Sequence, residues 1–414
     1  MASARPASDP PVPPRPRALV VAYSCEPGLG SEPGTGWGVV HALMELAACT
    51  VLVGEEHIAG IRRWTREHPD VDARFVPVPE VRWARFTRWH RLPRFISYLA
   101  WIRLARRAAR RLHREHAFDV AFHATMSVYW LPSPADGLGV PTVWGPVGGA
   151  VAAPRSLLRL LGWRGVLGQT LDLVGVRAME LLPATRRTWR RAAVHLLNNE
   201  ETLRRLPPRL RSSAHILNHC LFADLAPPTR RGLQREGFLL FPSVLEPRKG
   251  PELAIRALPH AGESARLVFA HEGPEQVRLQ HLARRLGVAD RIEFRGRIPR
   301  TELFTLLTEA AAVVFAGLYE EGGMALTEAM LFGSPIVVLA HGGAETIARS
   351  ALDPERVALI RPESVEETAQ AMGRAMAGFL KDPPAATGPN LAVERATEAL
   401  RGAVAEALDR ARRP

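Results

Sequence analysis

Hydrophobic and polar positions alternate along this chain in two kinds of block. Short runs of apolar and β-branched residues at Ala18–Ser24, Thr50–Gly54, Ala73–Val78, Val120–His123 and Thr142–Trp144 predict strands. Between them, Gly36–Ala47, Phe95–Glu115 and Leu171–Ala192 carry the 3.6-residue period of helices. A second series begins at Phe238, where GFLLFPSVLE is followed by a helix from Pro251, then ARLVFAHEG, a helix over Glu275–Leu286, and RIEFRG. It continues with a helix over Thr301–Glu309, the strand AAVVFAG, a helix over Ala325–Phe332, the strand Pro335–Leu339 and a helix starting near Ala344. Strands alternating with helices in this way build parallel sheets covered on both faces. The fold class expected is therefore α/β, with two Rossmann-like, doubly wound domains facing across a cleft.

The domain bounds follow from the punctuation between the two series. Residues 1–17, rich in proline and arginine and without an apolar core, read as a disordered leader and not a signal peptide. Residues 18–225 form the first domain, 226–236 a polar Pro/Gly/Arg linker, and 237–388 the second domain. Residues 389–414 form an amphipathic helix that packs back on the domains. A length of 414 residues suits two cores of ordinary size. No apolar run reaches the length of a spanning helix, and Cys25, Cys49 and Cys220 are too scattered for a disulfide framework or zinc site. The expected location is the cytoplasm.

Charge changes the picture in one place. The net charge is +12, and between Arg82 and Arg114 there are eleven arginines and no acid. Trp83, Phe86, Trp89, Phe95, Tyr98 and Trp101 are threaded among them. Arg82, Trp83, Arg85, Phe86, Arg88, Trp89 and Arg91 suit a helix resting on an anionic membrane surface. The same residues also fit a solvated basic face with its tryptophans in the core, or, less well, nucleic acid phosphates, and no nucleic acid partner is expected.

Two stretches carry candidate chemistry. After the first strand, S-C-E-P-G-L-G-S-E-P-G-T-G-W-G places glycines at 28, 30, 34 and 36 ahead of a helix, with Glu55 further on. That order suggests a dinucleotide fingerprint, but three residues instead of two separate its second and third glycines. In the second half, LYEEGGMALTEAMLFGSPIVV follows a strand, so Glu320, Gly322 and Gly323 lie in a loop that opens a helix. The free N–H groups of that first turn suit a phosphate or diphosphate. Glu328, one turn in, could accept hydrogen bonds from a ribose diol, and Glu320 could hold a sugar hydroxyl or developing positive charge. Without other support, the pair fits equally a dipole partner and a surface charge.

The block E-E-G-G-M-A-L-T-E-A-M-L-F-G-S-P-I-V-V resembles the two-glutamate signature of glycosyltransferase family 4, retaining enzymes with two Rossmann-like domains (the GT-B fold). LVFAHEGPEQVRLQHLARRLGVADRIEFRGRIPRTEL and LEPRKGPELAIRAL resemble further blocks of the donor domain. SCEPGLGSEPGTGWG, FHATMSVYWLPS and VPTVWGPVGGA resemble segments of the first domain in one branch of that family. The likeness covers most of residues 18–385.

The resemblance implies that Glu328 binds the donor ribose and Glu320 the donor sugar, with the amides of Gly323, Met324 and Ala325 facing diphosphate and sugar. Lys249 neutralises the leaving diphosphate, Gly296, Arg297 and Ile298 run beside the base, and His123 holds a donor-sugar hydroxyl. Gly30, Gly34 and Gly36 let the first-domain loop approach the diphosphate across the cleft, and Glu32 orients the acceptor. The family's Gly-Arg before the lysine is Ser243-Val244 here, so the second cation is absent or supplied by Arg248. Its Gly-Asp-Gly-Pro turn is His271-Glu272-Gly273-Pro274.

The activity implied is retaining transfer of a hexose from a nucleotide-diphosphate sugar, uridine favoured, to a glycan, glycolipid or natural-product acceptor. That acceptor could be lipid-linked, as in an envelope glycan or a phosphoglycolipid antibiotic. No cofactor or metal is expected, because a helix terminus and Lys249 supply the positive charge. The one Asp-x-Asp, at Asp70–Asp72, precedes its strand. Two alternatives stand beside this: a degenerate nucleotide-sugar-binding protein without turnover, and a nicotinamide-dependent oxidoreductase using the first glycine loop.

Overall fold

The computed structural model describes residues 15–79, 91–125, 128–222, 236–384 and 388–412, with the side chains of 91–96 and 236 excepted. The first sheet comprises β1 (Arg17–Ala22), β2 (Ala48–Gly54), β3 (Ala73–Val78), β4 (Val120–His123), β5 (Thr142–Val147), β6 (Val194–Leu197) and β7 (Ala214–Ile216). The second comprises β8 (Glu236–Phe241), β9 (Arg266–Phe269), β10 (Ile292–Phe294), β11 (Ala310–Phe315), β12 (Ile336–Leu339) and β13 (Val357–Ile360). Helices α1 (Ser31–Leu46), α2 (Ile58–Glu67), α3 (Arg91–His116), α4 (Gly162–Glu180), α5 (Pro183–Arg191) and α6 (Glu200–Arg205) flank the first sheet. Around the second lie α7 (Pro251–Ala257), α8 (Gln276–Arg285), α9 (Arg300–Glu309), α10 (Met324–Leu331), α11 (Gly342–Ala348) and α12 (Val365–Lys381), followed by α13 (Val393–Arg412).

Every strand pairing is parallel, in the orders β3-β2-β1-β4-β5-β6-β7 and β10-β9-β8-β11-β12-β13. Strand order reverses beside β1 and beside β8, the two crevices where such sheets bind ligands. The apolar runs follow from burial on both faces. In β1, Leu19 and Val21 pack in the cluster under α3, while Val20 and Ala22 pack in the cluster on the opposite face with α1.

Three expectations change. The strands β6, β7 and β13 were not expected from the sequence. The expected helix over Leu171–Ala192 is two helices, broken where Pro183 opens α5. Of the leader, residues 1–14 lie outside the described residues, but Arg17 already opens β1 and the Arg15 guanidinium bonds the Met44 carbonyl. Nearly all of the expected linker, 226–235, also lies outside the described residues.

Two segments cross between the sheets. Ala153, Leu157, Leu160 and Leu161, which follow β5, pack in the second-domain core with Leu239, Phe241 and Leu253. In return α13 lies on the first domain, against α1, β4, β5 and β6.

Candidate functional site

A cleft of about 1020 Å³ lies between the carboxyl ends of the two sheets. Lys249 is brought there by a local geometry that only glycine allows. Gly250 sits at φ +69°, and a Cβ on it would lie 2.0 Å from the Ala316 carbonyl oxygen at the end of β11. This close pass sets Lys249 Nζ 2.7 Å from Glu320 Oε1. Arg248 Nη1 lies 3.6 Å from the same oxygen, while its Nε donates to Glu246 at 2.8 Å. Two cations therefore converge on one carboxylate at the cleft wall.

Helix α10 begins one residue earlier than its pattern suggested, at Met324, and points its first turn into the cleft. Its Gly323 amide donates to Cys220 Sγ at 3.2 Å, so this N–H, expected to face a ligand, is taken up by the protein. Glu328 is buried on the same helix and accepts from Arg300 Nη2 at 2.6 Å. Burial pushes the Glu328 carboxyl above its usual range, and Arg300 pulls it back only in part. Arg300 also donates from Nη1 to the Gly28 carbonyl at 3.4 Å, linking the second domain to the loop after β1.

That loop is shorter than it reads. Helix α1 starts at Ser31, so Gly34 and Gly36 are helical and buried and do not line the cleft. A Cβ on Gly34 would meet the Leu29 oxygen at 2.0 Å, and one on Gly36 would meet the Ser24 oxygen at 2.1 Å. Both glycines serve close packing of the helix on its own incoming strand and loop. The cleft is lined here by Gly30, Ser31, Glu32 and Thr35.

The other expected residues divide. Arg297, Ile298, Met324 and Ala325 line the cleft with Lys249, Arg248, Glu320 and Glu328, and so does Ser243. Gly296, at φ +69°, lies beside the lining residues. His123 ends β4, is 2% exposed, and is not among the residues that line the cleft. Arg82, Trp83, Arg85, Phe86, Arg88 and Trp89 lie outside the described residues, and Arg91 opens α3 with its side chain undescribed. Further along α3, Tyr98 and Trp101 point into the first-domain core and are not interfacial aromatics.

Four site residues carried no assignment from the sequence: Arg300, Glu321, His219 and Cys220. Glu321 crosses the cleft, accepting from Val151 N and Asn199 Nδ2, each at 2.8 Å, and from the Gly149 amide. Burial pushes its carboxyl up. His219 lines the cleft with one edge, but its Nδ1 is buried, and burial pushes the imidazole down to about 4. It is a neutral ring at neutral pH. The Cys220 thiol is pushed up to about 12 by burial and is a neutral acceptor for Gly323. Position in the chain gave no signal for these roles, since Val151 and Glu321 stand 170 residues apart.

Residues 230–386 match the family described as Glycosyl transferases group 1. The match lies over the second domain. The chain is 31% identical over 193 residues to a D-inositol 3-phosphate glycosyltransferase of Acidothermus cellulolyticus, covering 43% of this chain and 39% of that protein. It is 34% identical over 176 residues to a GDP-mannose-dependent alpha-(1-6)-phosphatidylinositol monomannoside mannosyltransferase of Mycolicibacterium smegmatis, covering 39% and 44%. The match thus spans about two fifths of the length of each of these relatives. The fold extends further. The apo lipopolysaccharide outer core galactosyltransferase WaaB superposes with a TM-score of 0.57 at 12% identity, covering 95% of this chain and 99% of that one. Anabaena Alr3699/HepE in complex with UDP superposes with a TM-score of 0.52 at 13% identity, covering 94% and 99%. The matched domain and the first sheet with its helices thus form the two-domain GT-B architecture.

Proposed function

We propose that this chain is a glycosyltransferase that moves a sugar from a nucleotide-diphosphate sugar to an acceptor hydroxyl. The observation that carries the reading is the convergence, on one cleft wall, of Lys249, Arg248 and the amino terminus of α10, with Glu320 and Glu328 beside them. A departing diphosphate gathers negative charge as the C–O bond to the sugar breaks, and fixed cations and helix amides stabilise charge that grows in the transition state. Lys249 and Arg248 take the diphosphate, and in doing so release Glu320 to the sugar. Glu328 takes the ribose diol. With this much positive charge supplied by the protein, the reading assigns no role to a metal. The acceptor oxygen bonds the anomeric carbon from the leaving-group side, its proton passes to the departing diphosphate oxygen, and configuration is retained.

The acceptor is a glycan, glycolipid or natural product, with a lipid-linked one favoured by the mycobacterial relative, whose name specifies a phosphatidylinositol mannoside. Uridine and guanosine diphosphates are the first probes, because HepE is described with UDP and the mycobacterial relative as GDP-mannose-dependent. Calorimetry with both, followed by a panel of their hexose conjugates read by mass spectrometry with a membrane fraction as acceptor, tests the proposal. Turnover abolished by Glu328→Ala and by Lys249→Ala supports it, and unchanged turnover in both variants refutes the site. Nucleotide binding without turnover of any donor favours the degenerate binding protein.

A further inference from the structure

Helix α4 is built inside out. Six of the nine large hydrophobic side chains that are exposed among the described residues fall in the twenty positions 163–182: Trp163, Leu167, Leu171, Val174, Leu181 and Leu182. Their exposures run from 41% at Leu182 to 73% at Trp163. At 3.6 residues per turn, Trp163, Leu167, Leu171, Val174 and Leu181 share a sector of roughly 80°. The opposite face, turned to the protein, carries Gln169, Val176 and Glu180. Glu180 is held there by Tyr129, Arg177 and Arg205, so the polar side is anchored inward and the apolar side is left to the solvent. Ordinary amphipathic packing does the reverse.

The flanks of this apolar sector are basic. Arg164 and Arg177 border it on either side, both exposed, and the Arg164 guanidinium lies 5.2 Å over the Trp163 ring. Residues 151–191 hold eight arginines against two acids, one of which is the buried Glu180. The other, Asp172, lies on α4 and lines the cleft. An apolar stripe with an aromatic at its end, bordered by Arg164 over the Trp163 ring and by Arg177, which is exposed but paired with Glu180, suits the boundary of an anionic bilayer. Among the described residues no helix is long and apolar enough to cross a membrane, so the contact is with its surface.

We infer that α4 docks the protein on an anionic phospholipid surface, with its apolar stripe in the acyl boundary and the cleft mouth held against the membrane. The inference draws on the proposed transferase activity only for its purpose, presenting a lipid-linked hydroxyl to the cleft. Surface binding itself is measured without turnover.

The full chain is floated at low salt with vesicles of one part phosphatidylglycerol to two parts phosphatidylcholine. The wild type rises with them, less with phosphatidylcholine alone and less at high salt. Its tryptophan emission shifts to the blue on binding, and Trp163→Phe removes that shift. The pair Trp163→Ser with Leu171→Ser, which exposes no new core, weakens flotation at least about tenfold while unfolding as the wild type does. Arg164→Gln weakens binding to the anionic vesicles selectively. The inference is overturned if the wild type stays at the bottom, or if the serine pair floats unchanged while loss of Arg82, Arg85 and Arg88 abolishes flotation. It is equally overturned if the wild type is a dimer that the serine pair makes monomeric and neither binds vesicles, since the face then belongs to a second copy.

Discussion

Arg300 donates to Glu328 at 2.6 Å and, from its other terminal nitrogen, to the Gly28 carbonyl at 3.4 Å. One side chain thus neutralises the buried carboxylate on α10 and ties the second domain to the loop after β1. In the absence of nucleotide, the carboxylate assigned to the ribose diol is already engaged.

Removing Arg300 leaves Glu328 buried without its cation. Arg300 is itself about one-third exposed, so the loss from Arg300→Ala is discounted to about 1–2 kcal/mol at neutral pH. The folded-state carboxyl of that variant binds its proton still more tightly. The penalty is therefore absent in acid, where Glu328 is protonated in both states, and grows as pH rises through its raised folded value. Denaturant titrations of both proteins from acid to neutral pH measure it; a constant gap at all pH values contradicts the pairing.

Lys249 Nζ lies 2.7 Å from Glu320. If the ammonium serves the diphosphate, Lys249→Ala weakens nucleoside diphosphate binding and lowers kcat by about two to three orders of magnitude, corresponding to about 3–4 kcal/mol of lost transition-state stabilisation. Lys249→Arg restores only part of this, because the broad guanidinium does not occupy the place of a compact ammonium. Calorimetry with uridine diphosphate and single-turnover assays separate the two effects.

Glu321 closes the cleft by accepting three donors from the first domain. Glu321→Ala deprives the Gly149 and Val151 amides and the Asn199 amide group of their acceptor, costing about 2–3 kcal/mol of closed-state stability. The expected result is a larger radius of gyration in small-angle scattering with unchanged helix content. A scattering curve identical to the wild type would place the clasp among incidental contacts.

His219 titrates at about 4 in the fold against an ordinary 6.5. A histidine with a depressed folded value favours the folded state above its unfolded value, and that contribution disappears as pH falls from about 6.5 to about 4. At most about 3 kcal/mol is at stake, and less where its cleft edge stays hydrated. His219→Gln removes this segment of the acid-loss curve, and its stability between those pH values runs flatter than that of the wild type.

Much of this was legible locally. The alternation of strand and helix gave two parallel sheets because a run such as Ala18–Ala22 is apolar on both faces, which only a covered sheet requires. Glu320 and Glu328 were legible because they follow a strand at short range, and loops after parallel strands open on the crevice, whereas Lys249 and Arg248 came from the family resemblance; all four line the cleft. Gly34 and Gly36 misled, since a glycine needed for close helix packing looks the same in sequence as one needed beside a ligand.

By itself, then, the sequence determined which residues lie at the strand ends and which faces are apolar, because both follow from periods of two and 3.6 residues. Only the tertiary structure decided what each face meets. Tyr98 and Trp101, set among arginines, turn inward under the first sheet, while Trp163 and Leu171 turn outward from it. Likewise Arg300 reaches Gly28 and Glu321 reaches Val151 only because two separate sheets close on one another. Periodicity fixes an apolar stripe along a helix axis, but the direction that stripe faces depends on contacts from distant parts of the chain.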